Sequence, residues 1–304
     1  MNGLREKKQT RYMGYLAFLY YLSTFFFIGR LIPLHRMVWF SFLLAAIAAS
    51  ILLYTFYQYL NICKIGNWTL IISTLISVVA GISTFYCFSD FFHTCVLNDS
   101  PTWLFPSAFI LLCLWMAKKE IHVLELFSRL LGPFILFFLL LANFSSISKI
   151  ELPYTYDFLM FDGLLHPTSN NFWTSTLLFF VIYFTEGFVL ITLLSLHKKS
   201  PFVYKDTTKG LFISVALLAI TYLVTVLALG PEVFEQLTYP VYYPPGLTQT
   251  AEYLERIEVI LLAVFLFSAF IKFSLLLMMC KEAITSIYTA FSNSSVEKTK
   301  ASCQ

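Results

Sequence analysis

Long uncharged runs dominate the chain, separated by short polar connections, and the run lengths predict helices that cross a bilayer. A hydrocarbon core about 30 Å thick needs about 20 helical residues. Four runs meet that length directly: Tyr12 to Gly29, Met37 to Cys63, Ile65 to Ser89 and Gly210 to Pro231. A shorter run, Ser100 to Ala117, carries Pro101 and Pro106 near its start. Three further spans contain ionisable residues. The fifth, Ile121 to Phe144, holds Glu125 and Arg129 at i,i+4 ahead of Gly132-Pro133; the sixth, Phe172 to Leu196, surrounds Glu186; the eighth, Arg256 to Cys280, contains Glu258 and Lys272. The pattern therefore predicts an all-α integral membrane protein with eight spans, a single polytopic domain over residues 1–290, and a polar tail, 291–304, expected to be disordered.

Composition excludes the alternative of a water-soluble globule. Hydrophobic residues make up 59% of the 304 and charged residues only 12%, with mean hydropathy +0.77, against roughly 45–50% and about 25% in soluble domains. The 33 Phe, 18 Tyr and 5 Trp suit lipid-facing surfaces and interfacial belts. Arg5, Lys7, Lys8 and Arg11 precede the first run as in a signal peptide, but no small-residue cleavage site follows, so it reads as a retained span. Cys63, Cys87, Cys95, Cys113, Cys280 and Cys303 show neither CxxC nor Cys/His metal spacing and indicate no disulfide framework. Sequons at Asn67, Asn98, Asn143 and Asn293 are weak signals, because several lie in or beside the runs.

The few charges set an orientation. With the N-terminus inside, cytoplasmic segments hold 14 of the 20 basic residues: Arg5, Lys7, Lys8, Arg11, Lys64, Lys118, Lys119, Lys198, Lys199, Lys205, Lys209, Lys281, Lys298 and Lys300. Outside segments keep Arg30, Arg36 and Lys149, so the positive-inside rule places both termini in the cytoplasm. Acidic residues lean outward. Two outside connections are long, Ser145 to Asn171 and the Pro-rich stretch from Pro231 to Glu252, and are expected to pack over the mouth of the helix bundle.

Charge at the bilayer centre costs about 2.5–3.5 kcal/mol on insertion scales, so intramembrane ionisable residues are functional candidates. Glu186 lies 11 residues before His197 and Lys272 nine before Lys281, roughly 16 Å and 13 Å from the cytoplasmic edge at about 1.5 Å per residue. Similar depth suggests a shared polar cavity and a pair; the plainer readings are a structural ion pair or a Lys272 that snorkels to the surface. Ser23 and Thr24 come near the same level, although such hydroxyls more often bond their own backbone. Glu255, Arg256 and Glu258 cluster at the outer end of the eighth span, with interfacial anchoring as their alternative role. No HExxH, GxSxG, Walker loop or metal-ligand cluster occurs, so an enzyme, a cofactor or a resident metal is not expected.

Leu254-Glu255-Arg256-Ile257-Glu258 and Phe270-Ile271-Lys272-Phe273-Ser274 resemble the E-R-[LI]-[DE] and F-x-K-x-S elements of the spore germination permease family, within the amino acid-polyamine-organocation transporter superfamily. The Pro-bounded fourth span, Pro133, Phe184 to Phe188 and Leu237-Thr238-Tyr239-Pro240 follow in the same order. The resemblance implies two inverted five-helix repeats with small-molecule binding near broken first and sixth helices. It also implies the B subunit of a germinant receptor, in a spore inner membrane or cell membrane, that senses an amino acid or similar nutrient with A and C subunits. On that footing Ser23, Thr24, Glu186, Gly187 and Lys272 are the candidate ligand-binding residues, and Glu255, Arg256, Glu258 and Ser274 candidate structural or gating residues. A proton-coupled amino-acid permease and a scaffold without ligand binding remain alternatives.

The chain departs from the family pattern in three places. Only Pro33 and Gly29 remain of a Gly-rich break in the first span, where Ser23 and Thr24 replace glycines. The sixth span reads Glu186-Gly187-Phe188-Val189 where the family tends to F-G-[FY]-E, moving the carboxylate three residues upstream, about one helical turn. Eight spans stand in place of ten, so the repeats would be 5+3 of a 5+5 fold.

Overall fold

In a computed structural model the chain is all-helical among the described residues, which are 13–28, 30–32, 34–35, 37–63, 66–96, 101, 103–147, 150, 170–197, 203–242 and 257–301. The elements are α1 (residues 13–22), continuing into a 3-10 turn at Ser23–Phe27, then α2 (Val38–Cys63), α3 (Asn67–Cys95), α4 (Leu104–Ala117), α5 (Ile121–Ile147), α6 (Asn170–His197) and α7 (Val203–Leu229). A short α8 (Pro231–Gln236), a 3-10 turn at Pro240–Tyr242 and the long α9 (Ile257–Ala301) complete it. Helices satisfy every backbone N–H and C=O within one segment, which a bilayer demands because lipid offers no partners.

Among the described residues six helices are long and apolar enough to cross a membrane: α2, α3, α5, α6, α7 and residues Val259–Ser286 of α9. The other two apolar helices are shorter, Met13–Phe27 and Leu104–Ala117. At 14 residues α4 measures about 21 Å, because helix begins only at Leu104 with Pro106 in its first turn, rather than at Ser100 as expected. The first span lengthens itself differently: its last five residues tighten into 3-10 geometry, which rises about 2.0 Å per residue, before the chain turns extended at Ile28. Pro133 lies inside a continuous α5. Towards its end α9 runs on to Ala301, into the polar tail that the sequence marks off from residue 291. Extending a helix already nucleated in the bundle avoids the nucleation cost that keeps an isolated polar segment unfolded.

Two helix groups make the bundle. α2, α6 and α7 pack on one another, α9 packs on α3, α4 and α5, and the groups meet through α3 with α6 and α5 with α7. The 3-10 turn of the first span lies against both α3 and α9. Its Phe25 stacks face to face on Phe265 of α9, with ring centroids 3.7 Å apart, and Phe26 meets Phe88 and Phe91 of α3 edge-on. Burying each such ring removes apolar surface from the exterior and fixes geometry through the ring quadrupole. Glycine sets the closest crossing: a Cβ on Gly210 of α7 would lie 2.5 Å from Ala17 Cβ and 2.6 Å from Phe18 N of α1. Gly230, at φ 79°, makes the left-handed turn from α7 into α8. All five Trp (39, 68, 103, 115 and 173) fall at helix ends, and Trp68 is 78% exposed, as an interfacial belt requires.

Polar residues in the spans mostly find local partners. Asn143 is buried in α5 and donates from Nδ2 to Thr221 Oγ1 of α7 at 2.9 Å, so its sequon is committed to helix packing. Asn98 and the side chains of Asn67 and Asn293 lie outside the described residues. His35, in the connection before α2, is buried, with Ser41 Oγ 3.5 Å from Nε2 and the Phe172 ring edge-on at 5.8 Å. Burial pushes its imidazole down to about 4, below the ordinary 6.5. The fold therefore favours its neutral form, and the stability this supports is complete above pH 6.5 and lost as pH falls toward 4. Wild type will lose about 2–3 kcal/mol between pH 7 and pH 4.5 through this group. Thermal melts of detergent-solubilised protein at the two pH values check this, because His35→Gln should remove that share of the difference.

Candidate ion-pair site between the first span, α6 and α9

Glu186 sits in the middle of α6 and faces inward with Tyr183, one turn earlier, and Val189 and Leu190, a turn later. Lys272 sits in the middle of the apolar stretch of α9, Val259–Ser286, and is completely buried. Its Nζ donates to Glu186 Oε1. Thr24, the second residue of the 3-10 turn, donates from Oγ1 to Glu186 Oε2 at 3.4 Å. Three elements far apart in sequence thus converge on one carboxylate. The Lys272 ammonium also lies over the rings of Phe27, 4.5 Å from its centroid, and Tyr20, at 5.7 Å. Snorkelling is excluded for Lys272, whose tip points into the bundle rather than along it.

A pair of this kind does not stabilise a fold cheaply. Each ion loses several kcal/mol of solvation, and an apolar pair of similar volume is often as stable or more so. What the arrangement holds is two opposite charges against the 3-10 end of the first span. Gly187 brings the surroundings close: a Cβ there would meet Leu53 Cδ1 of α2 at 2.4 Å and Tyr21 Oη at 2.7 Å. Ser23 takes another course, donating to Tyr20 O at 2.7 Å, the back-bond expected of a hydroxyl in a membrane helix. Ser274 is buried beside the Cys113 thiol of α4, since two residues past Lys272 is about 200° round the helix and away from the pair. Glu255, Arg256 and the Glu258 side chain lie outside the described residues.

A second polar cluster closes the end of the bundle beyond the 3-10 turn. Arg30 Nη2 donates to Tyr86 Oη at 2.8 Å, and Arg30 Nε lies 3.6 Å from Asp90 Oδ2. Tyr239 donates to the same Asp90 oxygen at 2.9 Å and packs edge-on against Phe91. Burial, and after it the Asp90 carboxylate, holds the Tyr239 phenol well above its ordinary value, so it stays a donor. The Leu237-Thr238-Tyr239-Pro240 motif therefore ties the segment after α8 to α3, directly over the turn that carries Thr24. α8 adds Phe234, whose ring meets Tyr222 of α7 at 6.1 Å.

Sequence reasoning missed the aromatic wall of the site, Tyr20, Tyr21, Phe27 and Tyr183. A signal existed in spacing, because Tyr183 is one turn from Glu186 and Tyr20 one turn from Thr24, but 18 Tyr spread through apolar runs give it little contrast. It also missed the Arg30–Asp90–Tyr239 cluster, whose members stand 60 and 149 residues apart.

Among curated proteins and solved structures no match is found. The profile of a family of spore germination proteins, the spore permeases, matches residues 23–297, from the 3-10 turn through nearly all of α9. A helical membrane bundle with charges paired at its centre is consistent with a permease-type family, and the match covers most of the chain. The protein belongs to the spore permease family of spore germination proteins.

Proposed function

We propose that this protein is the membrane-spanning subunit of a spore nutrient-germinant receptor, sensing an amino acid or similar small molecule at Glu186, Lys272 and Thr24. The observation that carries the reading is the buried Glu186–Lys272 pair set against the 3-10 end of the first span. A zwitterion can enter such a pair without stranding a charge: its ammonium takes the place of Lys272 on Glu186, and its carboxylate meets the Lys272 ammonium. Any ligand with one charge leaves the other buried ion without a partner, which costs 3–5 kcal/mol. Gly187 permits close approach at that level, and Ser23 supports the turn through its backbone bond.

In this reading the two short apolar helices join the six long ones as eight spans, arranged as 5+3 of an inverted-repeat transporter-like fold, with both termini cytoplasmic. A and C receptor subunits are the partners, and the spore inner membrane or cell membrane is the location. Glu255, Arg256, Glu258 and Ser274 then serve structure or gating around the eighth span.

Spores carrying Glu186→Gln or Lys272→Met at wild-type protein level are expected to need at least tenfold more nutrient to germinate, because binding has lost one charge. Unchanged nutrient dependence overturns the reading. Uptake of labelled amino acid into proteoliposomes separates sensing from transport: uptake driven by a pH gradient and abolished by Glu186→Gln would instead make the protein a proton-coupled permease.

A further inference from the structure

Four tyrosine hydroxyls, those of Tyr20, Tyr21, Tyr183 and Tyr222, are completely enclosed and have no hydrogen-bond partner among the described residues. They are not scattered. The Tyr20 and Tyr21 rings meet edge-on at 5.6 Å, and Tyr21 meets Tyr183 edge-on at 6.3 Å. The Tyr20 ring lies 5.7 Å from Lys272 Nζ, Tyr21 Oη would stand 2.7 Å from a Cβ on Gly187 beside Glu186, and Tyr183 leads through Phe179 and Phe42 to Tyr222, with ring centroids 6.0, 4.5 and 5.2 Å apart in turn. These four tyrosines therefore form a file that starts at the ion pair and leads between α1, α6 and α7 to Phe234 of α8. Phenylalanine would fill nearly the same volume at each position without burying an unsatisfied polar atom, which is costly in an apolar medium. Many Ser and Thr hydroxyls in the spans, such as those of Ser77, Thr192 and Thr225, return to their own helix carbonyls; a tyrosine Oη is too far from its own backbone to do so.

We infer that this file is the side-chain subsite of the ligand, and that the site selects amino acids whose side chain is uncharged and forms hydrogen bonds. The inference rests on the proposed binding of a zwitterion at Glu186 and Lys272. An apolar side chain would leave the hydroxyls as they are, whereas one with an amide or hydroxyl would satisfy them; a site built to hydrogen-bond rejects the analogue that lacks the group far more strongly than an apolar pocket rejects an extra methylene. A charged side chain would find the neighbouring counter-charges, Glu186 and Lys272, already engaged by the ligand's own head group.

Isosteric pairs test this on the purified full-length protein in nanodiscs, by isothermal titration with threonine against valine and asparagine against leucine. Threonine and asparagine are expected to bind about tenfold tighter than their apolar partners or better, and aspartate weaker than asparagine. In Tyr183→Phe and Tyr222→Phe the threonine-to-valine ratio falls toward one. Valine equal to threonine in the wild type overturns the inference. So does a ratio untouched by both variants, which would assign the hydroxyls to water alone, and so does a parallel loss of alanine and threonine binding, which would assign them to the fold. If alanine binds and the pairs show no preference, only the subsite fails. If no amino acid binds, including alanine, the zwitterion reading fails and this inference with it.

Discussion

Glu186→Gln and Lys272→Met will each destabilise the protein by roughly 3–5 kcal/mol, and the double variant will recover most of that loss. The asymmetry follows from burial. Lys272 is fully enclosed and Glu186 nearly so, at 2% exposed, and each is the other's principal partner. Removing one leaves a bare ion among Phe27, Tyr20 and the surrounding apolar helices, while removing both leaves a neutral core of similar volume. Thr24 cannot compensate for Lys272, since a hydroxyl at 3.4 Å supplies no charge. Thermal melts of the two single variants and the double in one detergent measure the coupling. Additive losses would show that the two side chains do not act as a pair. The double variant separates stability from function, because a protein that has regained its melting temperature but not its nutrient response has lost the site and kept the fold.

Gly210→Ala should cost as much as a buried clash can, about 1–3 kcal/mol or more, even though alanine is the better helix former. Two of the three atoms its Cβ would meet belong to the backbone of α1, Phe18 N at 2.6 Å and Ala17 C at 2.8 Å. Backbone atoms cannot rotate aside, so α1 must move away from α7. The 3-10 turn follows directly after α1, and such a shift would carry Thr24 from Glu186. Gly187→Ala is the instructive contrast, because it meets side-chain tips, Leu53 Cδ1 and Tyr21 Oη, which can rotate. Gly81→Ala in α3 has nothing within 4 Å and serves as the neutral control. Fluorescence-detected size exclusion and melting temperature rank the three; Gly210→Ala melting with Gly81→Ala would refute close packing of α1 on α7.

Several features are legible in the amino-acid sequence alone. Run length marked every long helix, because a fixed hydrocarbon thickness converts directly into a residue count. Glu186 and Lys272 stood out because a charge at that depth is expensive, and counting residues to the flanking polar ends put them at one level. Thr24 was visible as a hydroxyl at the same depth. Ser23 was indistinguishable from it in sequence, and the turn geometry alone decides that one hydroxyl returns to Tyr20 O while its neighbour reaches Glu186.

The sequence by itself determined that the chain is a helical membrane protein, where its long helices fall and that Glu186 and Lys272 lie deep in the spans, since each follows from the cost of placing a group in lipid. Only the tertiary structure decided which faces meet. In water a helix shows its inner face by being apolar there, but in a bilayer the lipid-facing side is equally apolar, so hydrophobicity carries no record of direction. The pairing of Thr24, Glu186 and Lys272, the Tyr239 tie to Asp90, the Gly210 crossing and the file of tyrosine hydroxyls therefore emerge only when the helices are packed together.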